Sequence, residues 1–261
     1  MDLFLGIDGS GDGDDKVYAI DFANSFVKTF WRGGHFNKGG YLRGPSMSGS
    51  ETRALVNSGR AWVTTAIDEA RRSKTPYRLF LSGYSRGGAA VTEIAFELKA
   101  RGINVHAMLL FDAVDQSELT NVDVVPANVK YCYHAMRNPS AGSREFFGNC
   151  STSAAGGVVF DKKPFWCTHG AMGGTPWTVA GKSGKIEELS NGQKAGAIGT
   201  STVIGGMMPG IGPIISQQAN RHINQNDYTN VTLDQEKAAG PEIWKWMTSK
   251  LAIAKQDVAT S

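Results

Sequence analysis

Residues 77–88 read Tyr77-Arg78-Leu79-Phe80-Leu81-Ser82-Gly83-Tyr84-Ser85-Arg86-Gly87-Gly88. Leu79-Phe80-Leu81 fits a short buried strand, and Ala89, Ala90, Val91, Ile94, Ala95 and Leu98 recur at helical spacing up to Gly102. A strand therefore runs into a serine and straight on into a helix. Between them, Gly83-Tyr84-Ser85-Arg86-Gly87 matches G-x-S-x-G, the pattern of a nucleophile elbow. Three fixed positions in five are a weak signal alone; the strand before and the helix after carry it. The tight turn projects the Ser85 hydroxyl at the strand's carboxyl end. Gly83 and Gly87 leave room for close packing on either side. The helix starting near Arg86 aims unpaired N–H groups and its positive dipole end at the place where an oxyanion would form.

Working back toward the amino terminus, Leu3-Phe4-Leu5-Gly6-Ile7 reads as a first buried strand. It empties into Asp8-Gly9-Ser10-Gly11-Asp12-Gly13, whose glycines let backbone N–H groups converge on an anion. Beside a serine nucleophile, the Gly9, Ser10 and Gly11 stretch would supply the second oxyanion donor, with Arg86 supplying the first. The same loop is also consistent with a surface turn or a phosphate or metal loop, although the glutamate of an EF-hand is missing. Tyr18 to Phe30 predicts one apolar helix, residues 33–50 a Gly-, Pro- and Ser-rich loop, and Glu51 to Ser73 a second helix.

Downstream, Ile103 to Phe111 predicts a strand ending in Asp112. Catalytic groups in open parallel sheets gather outside strand carboxyl ends, so Asp112 is placed to orient a histidine, with Asp115 as its near rival. Val129 to Met136 predicts another strand carrying His134, a setting that suits a satisfied core residue better than a base. Val158-Val159-Phe160 predicts a further strand, followed by His169 in a glycine-bounded loop where an imidazole can reach Ser85. The chain order Ser85, Asp112, His169 is the one used by α/β-hydrolase folds. His35, His106 and His222 lack a comparable setting. Glu242 to Ala254 predicts a final amphipathic helix, after a polar loop over 220–230.

Residues 195–220 carry no charge and are rich in glycine. Their two prolines and low hydrophobicity argue against a membrane span and favour a lid or cap near the site. The expected organisation is a hydrolase core over 1–180, an insertion over 181–239 and a returning helix over 240–261.

Composition narrows the classes. Twenty-seven Lys and Arg against 24 Asp and Glu give a net charge of +3, too balanced to argue for nucleic acid. The three cysteines, Cys132, Cys150 and Cys167, are far apart without a C-x-x-C pair, which favours reduced thiols and leaves a single disulfide open. No basic segment followed by a long apolar region opens the chain, so synthesis in the cytoplasm without a signal peptide is expected, with export by another route left open. Triad chemistry requires no cofactor.

Together, Ile7-Asp8-Gly9-Ser10-Gly11, Gly83-Tyr84-Ser85-Arg86-Gly87-Gly88, Phe111-Asp112-Ala113-Val114 and His169-Gly170-Ala171-Met172-Gly173-Gly174 resemble a known set. They are similar, in order, to the D-G-T-G loop, G-F-S-R-G-A elbow, D-T-V acid motif and H-x-x-x-G-G base motif of an α/β-hydrolase family that includes type VI secretion lipase and phospholipase effectors. The resemblance spans residues 3–174 and the last helix, with 175–240 unmatched. It implies a mostly parallel sheet flanked by helices and a Ser85-His169-Asp112 hydrolase of esters, phospholipid acyl esters being the expected class. It also implies transient contact with a membrane surface and, for effectors, a cognate immunity protein. Ser10 replaces the usual threonine, Gly88 the usual alanine and Ala113 the threonine of D-T-V. Two other classes stay open: a membrane- or protein-binding module built on 195–220, and an acyltransferase or peptidase on the same scaffold.

Overall fold

The computed structural model describes residues 1–115, 119, 121–144, 147–181, 183–188 and 228–257. The apolar runs become β1 (Asp2–Ile7), β3 (Arg78–Tyr84), β4 (Val105–Phe111), β6 (Val129–Arg137) and β8 (Val159–Phe165), joined by an edge strand, β2 (Lys38–Leu42). They form one sheet in the order β2-β1-β3-β4-β6-β8, with every neighbouring pair parallel. The short strands β5 (Val124–Val125) and β7 (Ser153–Ala154) pair with each other, and β9 (Lys185–Glu187) pairs antiparallel with β10 (Tyr228–Thr232). The helices are α1 (Asp15–Asp21), α2 (Phe26–Arg32), α3 (Thr52–Arg72), α4 (Arg86–Lys99), α5 (His169–Met172) and α6 (Leu233–Gln256). The chain is an α/β fold with a central parallel sheet flanked by helices, as its sequence predicts.

Side chains alternate across a strand, so each central strand feeds two cores. Leu3, Leu5, Ile7, Leu79 and Leu81 pack with Val63, Ile67, Ile94 and Leu98 of α3 and α4 in a mainly aliphatic layer. Phe4, Phe80 and Phe111 face the other way, against Tyr18, Val27 and Phe30 and against Ile243, Met247 and Leu251 of α6. With both faces covered, the only edges at which a crevice can open are the strand ends.

His169, expected in a glycine-bounded loop, instead opens the short α5, capped by the Thr168 side chain accepting the Ala171 N–H. Three further elements depart from the sequence expectation, each for a local reason. The helix expected over Tyr18 to Phe30 is two, because Ser25 interrupts it: its Oγ caps α2 by accepting the Lys28 N–H at 3.1 Å and donates to Asp8 at 2.5 Å. The 33–50 loop contains β2, hidden because Lys38-Gly39-Gly40-Tyr41-Leu42 shows no apolar alternation. Its glycines are needed by packing: a Cβ on Gly39 would lie 2.8 Å from the Trp31 ring and one on Gly40 2.5 Å from Trp62. The last helix starts nine residues before Glu242, at Leu233, behind a capping box of Thr232 and Gln235, and it carries Pro241 in its interior. Of the expected polar loop over 220–230, the last residues belong to β10, and 220–227 lie outside the described residues. The 195–220 segment expected to be a lid or cap also lies outside them.

Candidate active site

Five of the six sheet strands deliver a polar group to the same rim. β1 ends in Asp8 and Gly9, β3 in Ser85, β4 in Asp112, β6 in Arg137, and β8 leads through Thr168 to His169. Ser85 sits at φ 54° and ψ −129°, a left-handed conformation unfavourable for a residue with a side chain. Its N–H donates to Phe111 O at 3.1 Å, and its carbonyl accepts from Gly88 and Val114, so the elbow is held from both flanks. The two elbow glycines are required by contact. A Cβ on Gly83 would lie 2.4 Å from Gly87 O, and one on Gly87 2.1 Å from Ile7 O.

The His169 Nε2 accepts the Ser85 hydroxyl at 2.9 Å, and its Nδ1 donates to Asp112 Oδ2 at 2.7 Å. An ionised carboxylate only accepts, which fixes the proton on Nδ1 and leaves Nε2 as the basic atom. The structure thus brings together the three side chains singled out in the sequence. Asp115, the rival acid, acts on the Arg86 guanidinium instead.

Burial opposes charge on His169 and pushes its pKa below the ordinary value; the hydrogen bond to Asp112 works against that push, and Arg137 and Arg144 reinforce it. The ring is therefore neutral, and able to accept a proton, at neutral pH. Burial alone would raise the Asp112 carboxyl, but the Arg137 guanidinium and the His169 contacts reverse it and hold it far below the usual carboxylate range. Arg137 Nη1 reaches Asp112 Oδ2 at 2.5 Å, the Arg137 N–H reaches Oδ1 at 3.2 Å, and Asn149 Nδ2 reaches Oδ1 at 2.7 Å.

The expected oxyanion loop lies against Ser85. A Cβ on Gly9 would stand 3.0 Å from Ser85 Cβ and 2.7 Å from the Tyr84 ring. Ser10 Oγ accepts from Arg86 Nη1 at 2.7 Å, which ties the loop to the first residue of α4. Gly11 differs from expectation: its N–H is committed to Pro45 O at 3.1 Å, which confines the candidate donors to Gly9, Ser10 and Arg86.

His134 is a core residue, as its setting in a strand suggests. Burial depresses its pKa to about 4, so it is neutral; its Nε2 accepts the Ala113 N–H at 3.0 Å and its Nδ1 donates to Ser151 O at 3.0 Å. It thereby fixes the residue after Asp112. Sequence reasoning passed over Arg137, although it is the last residue of a strand in the same sense as Tyr84. Tyr84 itself does more than fill a motif position: its hydroxyl donates to His169 O at 2.9 Å and its ring lies 5.0 Å from the imidazole. Gly88 and Ala113 face each other, since a Cβ on Gly88 would lie 2.5 Å from the Ala113 Cβ.

Above Ser85 and His169 opens a cavity of about 710 Å³, whose apolar walls include Phe22, Met47, Val114, Phe147 and Trp177. The three cysteines are buried free thiols, and burial raises the pKa of each, that of Cys150 to about 12. Among the described residues no group of three His, Cys, Asp or Glu is arranged to hold a metal, and no helix is long and apolar enough to cross a membrane.

No family model matches the sequence, and no curated protein does. Among solved structures, the chain is similar to an uncharacterized protein from Pseudomonas aeruginosa, at 14% identity over 95% of this chain and 50% of that one, with a TM-score of 0.44. It is also similar to a cutinase-like protein from Cryptococcus sp., at 16% identity over 55% of this chain and 56% of that one, with a TM-score of 0.26. The chain spans about half the length of these solved structures.

Proposed function

We propose that the protein is a serine hydrolase of carboxylic esters, with Ser85 as nucleophile, His169 as general base and acid, and Asp112 as the group that holds the imidazole tautomer. The observation that carries this is the continuous chain of hydrogen bonds from Ser85 through His169 to Asp112, at 2.9 and 2.7 Å, on the floor of an open cavity. Ser85 Oγ attacks the ester carbonyl as its proton passes to His169 Nε2, and the imidazolium is stabilised by Asp112. The tetrahedral oxyanion faces the amino terminus of α4 and the Gly9-Ser10 loop. Collapse expels the alcohol, which takes the proton from His169, and leaves an acyl-serine. A water, deprotonated by the same nitrogen, then attacks the acyl carbon and releases the carboxylic acid and the free hydroxyl.

Within that class we favour lipid esters. The apolar walls formed by Phe22, Met47, Val114, Phe147 and Trp177 suit an acyl chain. The motif resemblance points the same way and extends the proposal to a secreted antibacterial effector acting at a membrane surface and neutralised by an immunity protein.

The test is turnover of a short-chain aryl ester and of total lipid extracts by wild type and Ser85→Ala, with products followed by mass spectrometry. A loss on the order of 10⁶-fold in kcat is expected for Ser85→Ala. Equal turnover by the two proteins would remove Ser85 from the chemistry. Aryl-ester hydrolysis with untouched lipid would leave an esterase and sink the lipase assignment.

A further inference from the structure

Two buried carboxylates hold the turn that carries His169, Glu236 directly and Glu188, which also lines the cavity, through Ser143. Glu236 of α6 accepts the Thr168 hydroxyl at 2.6 Å, the Thr168 N–H at 2.9 Å and the Trp177 N–H at 3.1 Å. Glu188, the residue after β9, accepts the Ser143 hydroxyl at 2.7 Å and the Arg144 N–H at 3.0 Å. Ser143 Oγ in turn accepts the His169 N–H at 2.7 Å. Its single hydrogen is thus directed to Glu188 while its lone pair serves the histidine.

These contacts close a circuit. From His169 the path runs through Nδ1 to Asp112, from Asp112 to the Arg137 guanidinium, and from Arg137 Nε to Ser143 O at 2.9 Å. It returns from Ser143 Oγ to the His169 backbone. The acid and the base are therefore referenced to one residue, Ser143, by two independent routes. Its neighbour Arg144 has φ 45°, a conformation that persists only where surrounding contacts hold it, and Glu188 supplies one of them. The Ile186 side chain, two residues before Glu188, is buried with Ala141 and Val231, so a packed strand delivers the carboxylate.

Building on the hydrolase reading, we propose that Glu188 is a positioning residue of the site, setting the His169 imidazole through the Ser143 hydroxyl. Burial pushes the Glu188 carboxyl up, opposed by the Arg144 charge and the Ser143 and Arg144 hydrogen bonds, and in its ionised form it has a second effect. Arg144 Nη2 donates to Glu188 O, and the guanidinium lies beside the carboxylate, so Glu188 balances a cation that would otherwise disfavour protonation of His169. The groups facing Glu188 are Arg144, the Ser143 hydroxyl, Tyr84, Cys167 and, from α6, Glu236. Neutralising Glu188 leaves the Arg144 charge less compensated at the imidazole and lowers the pKa of the base.

The deciding experiment measures kcat, KM and the pH–rate profile of aryl-ester hydrolysis for Glu188→Gln, Ser143→Ala and the double variant, beside Ser85→Ala. Each single substitution should lower kcat about 10- to 100-fold, with KM nearly unchanged. The double variant should lose little more than the worse single, because both act along one path. In Glu188→Gln the acid limb should move to lower pH. Unchanged kcat in both single variants, losses that multiply in the double variant, or an unmoved acid limb would each overturn the proposal. If Glu188→Gln does not fold, Ser143→Ala and Ser143→Thr decide: the rate must fall in the first and recover in the second, and equal rates reject the role. Full activity in Ser85→Ala would instead overturn the hydrolase reading, while a dead Ser85→Ala beside an undisturbed Glu188→Gln overturns only the positioning role.

Discussion

Arg137 and His169 donate to the same oxygen of Asp112, at 2.5 and 2.7 Å. On the hydrolase reading, Asp112 is thus shared between a permanent cation and one that exists only during turnover. The sharing has a cost and a use. Arg137 disfavours charge on His169, yet it keeps Asp112 ionised in a place where burial alone would protonate it. Its remaining donors hold Ser143 O, Arg144 O and Phe147 O, so the same side chain shapes the wall beside the imidazole.

Arg137→Gln should therefore do two things. Removing one partner of a buried ion pair costs about 3–5 kcal/mol, readable by urea denaturation. With Asp112 still held ionised by its His169 and Asn149 hydrogen bonds, removing a cation that lowers the pKa of His169 should move the acid limb of the pH–rate profile upward, opposite to the shift expected of Glu188→Gln. A profile that stays in place would show that Arg137 is felt only through packing.

The elbow conformation offers a cleaner comparison. At φ 54° a Cβ is strained, so Ser85→Gly should be more stable than Ser85→Ala by about 1 kcal/mol, or about 2–4 °C in Tm for a chain of this size. Both variants lack the hydroxyl and should be equally inactive. Equal melting temperatures would mean the turn is not strained in solution.

Gly87→Ala tests the packing that sets the elbow. Its Cβ would press on Ile7 O and Asp8 O, both backbone atoms at 2.1 and 2.4 Å. The amino terminus of α4 would have to move away from β1, carrying Arg86 from the Gly9-Ser10 loop. We expect a loss of about 3 kcal/mol and a fall in kcat larger than any change in KM. A variant with wild-type stability and rate would contradict the close approach.

Asp8 makes a pH-dependent contribution to stability. Desolvation raises its carboxyl to about 7, against donation from Ser25 and Tyr41 and the charge of Lys28, and its Oδ1 is buried without a hydrogen-bond partner among the described residues. A carboxyl bound more tightly to its proton in the folded state stabilises the fold below its unfolded pKa, and that contribution is lost as pH rises through about 7. Between pH 4 and pH 8 the loss from this group reaches up to ~4 kcal/mol, since each tenfold change in proton affinity is worth about 1.4 kcal/mol. Asp8→Asn should flatten the decline, and thermal melts across that range will show it. A decline equally steep in the variant would assign it to other groups.

How much of this was legible beforehand follows from where the information sits. Ser85 announces itself because the elbow, its strand and its helix are contiguous. Asp112 and His169 could be located because strand carboxyl ends converge in a parallel sheet, and each follows an apolar run. Arg137 obeys the same rule, but its strand also carries His134, a more conspicuous titratable residue three positions earlier. Ser143, Glu188 and Glu236 carry no such mark, because each acts on a partner 26 to 68 residues away through a single hydrogen bond or a pair of them. The strand β2 was hidden by glycines whose purpose is the tryptophans above them, and the start of α6 by Pro241, which reads as a boundary. Local patterns betray local contacts, and the support of the base is not local.

The grip of Glu236 on Thr168 also bears on when the site exists. The turn bearing the imidazole is complete only after a helix synthesised some sixty residues later has docked beneath it. A chain still emerging from the ribosome presents its serine long before it can deprotonate it. On the hydrolase reading, ester cleavage thus waits on the docking of α6, and a chain in which that helix has not docked is inactive.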